Sequence, residues 1–280
     1  MAITPEIAPL NDAEIQRHLF RKSIPMQTML HETLRSLGET GDMTCLDIGV
    51  RNGAISHHLR KRGGTWHTVV ADNDTAAAVR AVVPENISVI EGTTLPFKKQ
   101  MFDAVVIFEF LERVQSDEAL IEECHRVLKP DGRLIVSVPH IKSWTMLKPF
   151  RRMLGHTYQE KGLARPGYSE SQLFNILKHG FDVLNMRTYR RFFLELTDMF
   201  VQARARRKIG KDNAGKKLMR LYSFASVFYW LADQLDMFLF LTRGHVLIAT
   251  AKRRSWRPRN VPVLVDGRSI SEAVLSKALD

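Results

Sequence analysis

Cysteine is scarce: the 280 residues hold two, Cys45 and Cys124. Two cysteines cannot build a disulfide framework. No Cys/His cluster has zinc-ligand spacing, so no metal site is expected. That scarcity fits a reducing, cytoplasmic setting. The N-terminus lacks the apolar core of a secretory signal and carries Glu6, Asp12 and Glu14 instead, which argues against export. Internal repeats and low-complexity segments are missing too, which excludes solenoid arrays and biased tails. Acids are in deficit, 30 against 41 Lys and Arg, for a net charge of +11. Such a balance fits a solvated basic surface, or an acidic partner such as nucleic acid, an anionic membrane or a phosphorylated substrate. What is present is 45% hydrophobic and 25% charged, an ordinary globular profile. The length allows one large domain or two small ones, with a core that needs no covalent staples.

Residues 1–40 read as a helical segment. Ile15, Leu19, Met26, Met29, Leu30, Leu34 and Leu37 fall near helical spacing, interrupted around Pro25 and closed by Gly38. From Met43 the pattern changes to short apolar runs. Strands are expected at Thr44–Ile48, Thr65–Ala71, Ile87–Ile90, Ala104–Phe108 and Arg133–Val138, with helices at Ala54–Arg62, Thr75–Val82 and Asp117–Leu128. Near-continuous apolar strands separated by helices signal a parallel sheet covered on both faces, a doubly wound α/β domain. After Pro139, the run Ser169-Glu170-Ser171-Gln172 spells a capping box, and Gly180 ends the helix it opens. Phe181–Tyr189 and His245–Ala251 read as two more strands. Residues 190–243 are too long for a plain loop and helical in character. The expected organisation is therefore a domain over 41–252, with a helical insertion at 190–243 acting as a lid, and a tail at 253–280. The tail is basic through Arg259, with an apolar run at Val261–Val265 and a last helix from Ser271.

The stretch Cys45-Leu46-Asp47-Ile48-Gly49-Val50-Arg51-Asn52-Gly53 lies where the first strand turns into the first helix of that domain. A glycine turn there lets backbone approach a ligand, and the helix N-terminus offers N–H groups. The spacing is G-x-x-x-G rather than G-x-G-x-x-G, which disfavours nicotinamide and flavin cofactors. Asp72 ends the second strand, where a carboxylate can accept from both ribose hydroxyls of a nucleoside. Glu91 follows the third, where it could accept from an adenine amino group. Each is equally readable as a solvated strand-end acid. All three in register on one crevice edge point to a nucleoside cofactor.

Further on come Leu95-Pro96-Phe97, Phe102-Asp103-Ala104-Val105-Val106, Leu111-Glu112-Arg113-Val114 and Glu123-Cys124-His125-Arg126-Val127-Leu128-Lys129-Pro130-Asp131-Gly132. With these runs in this order, Thr44 to Pro139 resembles the class I S-adenosylmethionine-dependent methyltransferases, in particular the type 11 group. The resemblance implies a Rossmann-like seven-stranded sheet whose last strand is antiparallel, and S-adenosyl-L-methionine as cofactor. By position it assigns Asp47, Gly49 and Gly53 to the methionine and ribose end, Asp72 to the ribose hydroxyls, and Asn73 to the adenine. Glu91, with Gly92 and Thr93 beside it, falls near the adenine amine. Phe108 and Glu109 end the fourth strand beneath the methyl-donor sulfur, and Arg126 to Gly132 is structural. The sequence departs from the pattern at three positions. Val50 replaces the usual cysteine, Arg51 the middle glycine and Arg113 the histidine of the LEHV motif. Arg51 either crowds the cofactor or points outward and pairs with its carboxylate.

Methyl transfer from a sulfonium is an in-line displacement, so alignment is the main demand, and a base is needed only if the acceptor must lose a proton. His140, just after the fifth strand, is the candidate base, with His156 and Tyr158 behind it; a structural histidine is the competing reading. Acceptor identity should reside in Ile141–Tyr168 and in the insertion. The fourth strand ends Ile107-Phe108-Glu109-Phe110, without the Asn/Asp-Pro-Pro-aromatic signature of amino-group nucleic-acid methyltransferases. Within the insertion, Val201–Arg220 carries Arg204, Arg206, Arg207, Lys208, Lys211, Lys216, Lys217 and Arg220 against Asp212 alone. The apolar run Leu221–Leu241 follows. Spanning a bilayer is not expected. Asp233 and Asp236 would each cost up to about 2.5–3.5 kcal/mol at the membrane centre, and the flanking strands must join one sheet. Two readings stay open, a core helix on the sheet's edge and an interfacial helix beside anionic lipid. The sequence thus points to methyl transfer onto a small or lipid-like acceptor, with oxygen the candidate atom, and to peripheral contact with anionic membrane. An RNA-directed enzyme and a non-catalytic cofactor-binding or membrane-docking protein are the alternatives; no aromatic platform or RNA module supports the former.

Overall fold

The computed structural model describes residues 12–141, 147–155, 158–159, 162–209, 213–239 and 242–254. His156, Lys211, Asp212, the Val261–Val265 run and the helix expected from Ser271 lie outside them.

Two helices precede the sheet, α1 (Ala13–Lys22) and α2 (Ile24–Leu37). The Asp12 carboxylate accepts the Glu14 and Ile15 N–H groups at 2.8 and 3.2 Å and so caps α1. The break falls at Ser23, and Pro25 sits in the first turn of α2, where its missing N–H costs nothing. There follow β1 (Thr44–Ile48), α3 (Gly53–Arg60), β2 (Thr65–Val70), α4 (Asn73–Arg80), β3 (Ile87–Val89) and β4 (Phe102–Phe108). Next are α5 (Asp117–Val127), β5 (Leu128–Pro139), α6 (Lys148–Met153), α7 (Glu170–Leu177) and β6 (Phe181–Tyr189). The insertion supplies α8 (Phe192–Arg206) and α9 (Ala214–Met237) before β7 (Val246–Arg253).

The seven strands form one sheet in the order β3-β2-β1-β4-β5-β7-β6. β7 runs antiparallel to both neighbours, and the other described pairings are parallel. This is the doubly wound, Rossmann-like sheet that the apolar runs and the family resemblance led us to expect. β4 shows why its sequence is apolar on every residue from Ala104 on: Val105 and Ile107 pack under Leu120 and Cys124 of α5, while Ala104, Val106 and Phe108 pack under Leu30 and Leu37 of α2 and Leu59 of α3. Each such side chain contributes about 1.5–3 kcal/mol on leaving water. The N-terminal helices thus complete one layer of the core.

β5 begins five residues before its expected start. Leu128 already pairs with Phe102, and Asp131 at φ +61 turns the chain before the main ladder resumes at Arg133. Arg126 fastens this corner. Its guanidinium pairs with Glu123 at 2.7 Å and donates to the Leu95 and Phe97 carbonyls at 3.0 and 2.8 Å, while Glu123 accepts the Leu95 N–H. The capping box at Ser169 and Gln172 forms as expected. Both cysteines are buried free thiols, and burial pushes Cys45 up to about 12.

α8 and α9 pair as a hairpin that also packs on α1. The inner face of α9 carries Leu218, Tyr222, Ala225, Tyr229, Ala232 and Asp236. The Asp236 carboxylate accepts the Phe193 and Leu194 N–H groups at 2.8 and 3.1 Å, capping α8 from across the hairpin. Polar groups of this helix therefore point partly inward, and its aromatic face points out. No described helix is long and apolar enough to cross a membrane.

Candidate functional site

The site is built at the carboxyl ends of the parallel strands, where an α/β sheet leaves a crevice. β1 ends at Ile48, and Gly49 takes φ +85. A Cβ there would lie 2.5 Å from the Phe110 Cβ and 2.8 Å from the Phe108 carbonyl oxygen, so only glycine fits the turn. Asn52 then accepts the Ala54 N–H at 2.9 Å and caps α3.

Two of the motif residues turn away from the crevice. The Asp47 carboxylate is fully buried beneath α3, where Ser56 donates to Oδ2 at 2.7 Å and the Arg60 guanidinium lies 3.8 Å away. Burial raises its pKa, and Arg60 and Ser56 oppose the rise. Asp47 Oδ1 is buried without a hydrogen-bond partner among the described residues. Gly53 packs against the end of α4, where a Cβ would lie 3.0 Å from the Val79 carbonyl oxygen and 2.9 Å from Val82 just beyond the helix. Its N–H donates to Gln16 Oε1 at 2.7 Å, and Gln16 Nε2 donates to the Ala78 carbonyl at 2.6 Å. A buried side chain from α1 thus occupies the helix N-terminus that the sequence offered to a ligand. Nothing in the spacing of residues 1–40 singled out Gln16.

Along the same edge, Asp72 is exposed and caps α4, its Oδ1 accepting the Thr75 N–H at 2.7 Å. Asn73 opens α4 and is exposed. Glu91 and Gly92 are exposed beyond β3, with Thr93 half-buried and Gly92 at φ +64 facing open space. The strand order β3-β2-β1 sets these groups side by side with Gly49.

A cavity of about 580 Å³ opens from Gly49 across β4, β5 and β7. Phe108, Glu109 and His140 line it, as do Val50 and Arg51; Arg51 is solvent-exposed. Glu109 adopts φ +43 at the strand end. His140 is 5% exposed. Its Nδ1 lies 3.0 Å from the Gly244 carbonyl, which can only accept, so Nδ1 carries the proton and Nε2 the lone pair. Leu19, Met26, Met29 and Ile55 supply an apolar wall from α1, α2 and α3. Between Ile141 and Tyr168, the described residues Lys148, Arg151, Tyr158 and Leu163 reach the cavity.

One side of the cavity is charged, which sequence reasoning missed. Arg190, at φ +59 just after β6, keeps its side chain 10% exposed, with its Nη1 3.9, 3.7 and 3.8 Å from Glu109, Glu195 and Asp198. Burial opposes its charge, but those carboxylates outweigh burial and raise its pKa. Asp198 accepts from the Tyr229 hydroxyl at 2.7 Å and from Gln202 at 2.8 Å; burial pushes it up to about 6 against the pull of Arg190. Arg151 pairs with Glu195 at 3.2 Å, and Glu112 is buried on the same wall. Within the insertion the eye falls on the basic run, whereas these partners come from β4, α8 and α9.

Residues 46–136 match the family described as methyltransferase domain. Over 128 residues the chain is 33% identical to a ubiquinone/menaquinone biosynthesis C-methyltransferase of Laribacter hongkongensis, covering 42% of this chain and 52% of that protein. Over 89 residues it is 34% identical to the mitochondrial arginine-hydroxylase NDUFAF5 of Rattus norvegicus, covering 31% of this chain and 26% of the rat protein. The chain therefore spans about half the length of the first relative and about a quarter of the second. Geranyl diphosphate C-methyltransferase of Streptomyces coelicolor, solved with S-adenosyl-L-homocysteine, superposes with a TM-score of 0.55 at 14% identity, covering 81% of this chain and 76% of that one. At that identity the likeness speaks for the fold.

Proposed function

Residues 46–136 belong to the class I, type 11 methyltransferase domains, and from that premise we propose that the chain transfers a methyl group from S-adenosyl-L-methionine to a small, lipid-like acceptor. The observation that carries the reading is the opening of the Gly49 turn directly onto a cavity lined both by an apolar wall and by His140.

The strand-end residues fit the cofactor. The Gly49 backbone admits the methionine portion at a distance no side chain would allow. Asp72 spends one carboxylate oxygen on its helix cap and keeps the other for the ribose hydroxyls. Asn73, Glu91, Gly92 and Thr93 would border the adenine, and Phe108 and Glu109 would floor the reacting end. Asp47 and Gly53 act from behind, fixing the turn through Ser56 and Gln16. When bound, the cofactor supplies an electrophilic methyl group on a sulfonium.

The protein's own contribution is alignment and one proton. His140 Nε2 accepts the proton of an acceptor hydroxyl, and the imidazolium is steadied by its Nδ1–H bond to Gly244. A deprotonated ring hydroxyl is nucleophilic at oxygen and at the neighbouring carbon, so the same base serves methylation at either atom. α8 and α9 (within residues 190–243) close over the acceptor as a lid, with Met199 and Tyr222 facing it. The acceptor is drawn from a membrane surface to which the protein binds peripherally. The similarity to a ubiquinone/menaquinone biosynthesis C-methyltransferase supports the lipid-like class.

Calorimetry with S-adenosylmethionine and its demethylated product tests the first step, and absence of binding would sink the assignment. Labelled donor incubated with fractionated cell extract tests the second: label is expected in an apolar fraction.

A further inference from the structure

The insertion hairpin presents an amphipathic helix turned inside out. Two polar groups of α9 are spent inward, the Tyr229 hydroxyl on Asp198 and the Asp236 carboxylate on the N-terminus of α8, while Asp233 is exposed off the outer stripe. Its outer face carries Phe224, Val227, Phe228, Leu231, Leu235 and Phe238, which are 39–79% exposed. A contiguous exposed apolar face of this kind marks a contact surface. Steps of three and four residues place Lys217 and Arg220 on the same stripe as those six. The stripe is thus cationic at its start and apolar to its end, about 31 Å long at 1.5 Å per residue. Lys216 and, at the end of α8, Arg204 and Arg207 add exposed charge at the same end of the hairpin.

We propose that this face of α9 docks on an anionic lipid bilayer, cations on the headgroups and aromatic end inserted. Charge decides the occupant. In a parallel pairing with a second copy, Lys217 and Arg220 would face themselves. In an antiparallel one they would be pressed against Leu235 and Phe238. A negatively charged interface satisfies both halves of the stripe at once, because headgroup phosphates take the cations while the acyl boundary takes the rings. The tilt follows from the order of the stripe, with the C-terminal end of α9 deeper than its start. The inner face of the same helix contributes Tyr222 to the cavity wall, so docking sets the lid against the lipid. The inference deepens the proposed membrane-borne acceptor, but it stands on the helix face alone.

Sedimentation of the full chain with vesicles of phosphatidylcholine, with and without phosphatidylglycerol, tests it without cofactor or acceptor. Binding is expected to the anionic vesicles, weak binding to the neutral ones, and release as salt rises. Each cation near such a surface strengthens partitioning about fivefold, so the double reversal Lys217→Glu, Arg220→Glu should weaken it at least about 25-fold. The triple variant Phe224→Ser, Phe228→Ser, Leu231→Ser should abolish binding while the melting temperature and S-adenosylmethionine affinity hold. Failure of the wild type to bind anionic vesicles overturns the proposal. Equal recovery with neutral lipid overturns it, as does a dimer that the triple variant dissolves in place of vesicle binding. Vesicle binding by a protein that transfers no methyl group would leave docking standing and remove the proposed function.

Discussion

Asp72 has two assignments that substitution separates. Its Oδ1 caps α4 through the Thr75 N–H at 2.7 Å, and its second oxygen is assigned to the ribose. Asp72→Ala removes both. Loss of the cap costs about 1 kcal/mol, which for a protein of this size lowers the melting temperature by about 2–4 °C. Loss of a hydrogen bond to a charged group costs about 1.5–3 kcal/mol. Because Asp72 is exposed we take the lower end, about a tenfold rise in the dissociation constant for S-adenosylmethionine. Asp72→Ser splits the two, since serine caps a helix about as well as aspartate but brings no carboxylate. It should melt within about 1 °C of wild type and still bind the cofactor about tenfold more weakly. Differential scanning fluorimetry and calorimetry on the three proteins give both numbers. Wild-type affinity in the serine variant would refute the ribose assignment and leave Asp72 a helix cap.

Arg51 is exposed beside the cavity, so Arg51→Gly should keep S-adenosylmethionine affinity within a few-fold; a large gain would mean that the arginine obstructs the site. His140→Gln should lower turnover by about 10²–10⁴ without changing cofactor affinity, and an unaltered rate would remove His140 from the chemistry. Burial raises Asp198 from 3.8 to about 6, so its protonated form favours the folded state. Its contribution is full below pH 3.8 and lost as pH rises through 6. Urea unfolding should therefore show Asp198→Asn gaining stability relative to wild type between pH 4 and pH 7, and the opposite trend would refute the burial argument.

The sheet was legible because its strands are apolar on both faces, and β4 reads as strand from Ala104 to Phe108 whatever surrounds it. The glycine turn was legible because a left-handed residue pressed against Phe108 and Phe110 leaves no choice of side chain. Side-chain direction was another matter. Asp47 sits one residue from the end of β1, and strand alternation sends it beneath α3 toward Ser56 and Arg60. Gln16 and Arg190 could not be found by spacing, because each is defined by contacts that exist only once the chain has folded, Gly53 and Ala78 for one, Glu109, Glu195 and Asp198 for the other. On α9 residue types alone do not say which face is inward; the Tyr229 hydroxyl donating to Asp198 and the Asp236 carboxylate accepting from the Phe193 N–H decide it.

The order of strands at the sheet's far edge also governs how the chain is made. β6 precedes β7 in sequence, yet its described pairing is with β7, which lies between it and β5. When β6 leaves the ribosome its described strand partner does not yet exist, and the edge of β5 that β7 will cover stays open until residues 190–245 and then β7 have been synthesised. For that interval the nascent chain carries two unpaired strand edges, the condition under which β-structure pairs with the wrong molecule. Closure comes late and in one step, since β7 must fit both neighbours at once across the loop formed by the insertion. The hairpin of α8 and α9 is thus also a folding delay, and shortening it should speed the last step of assembly.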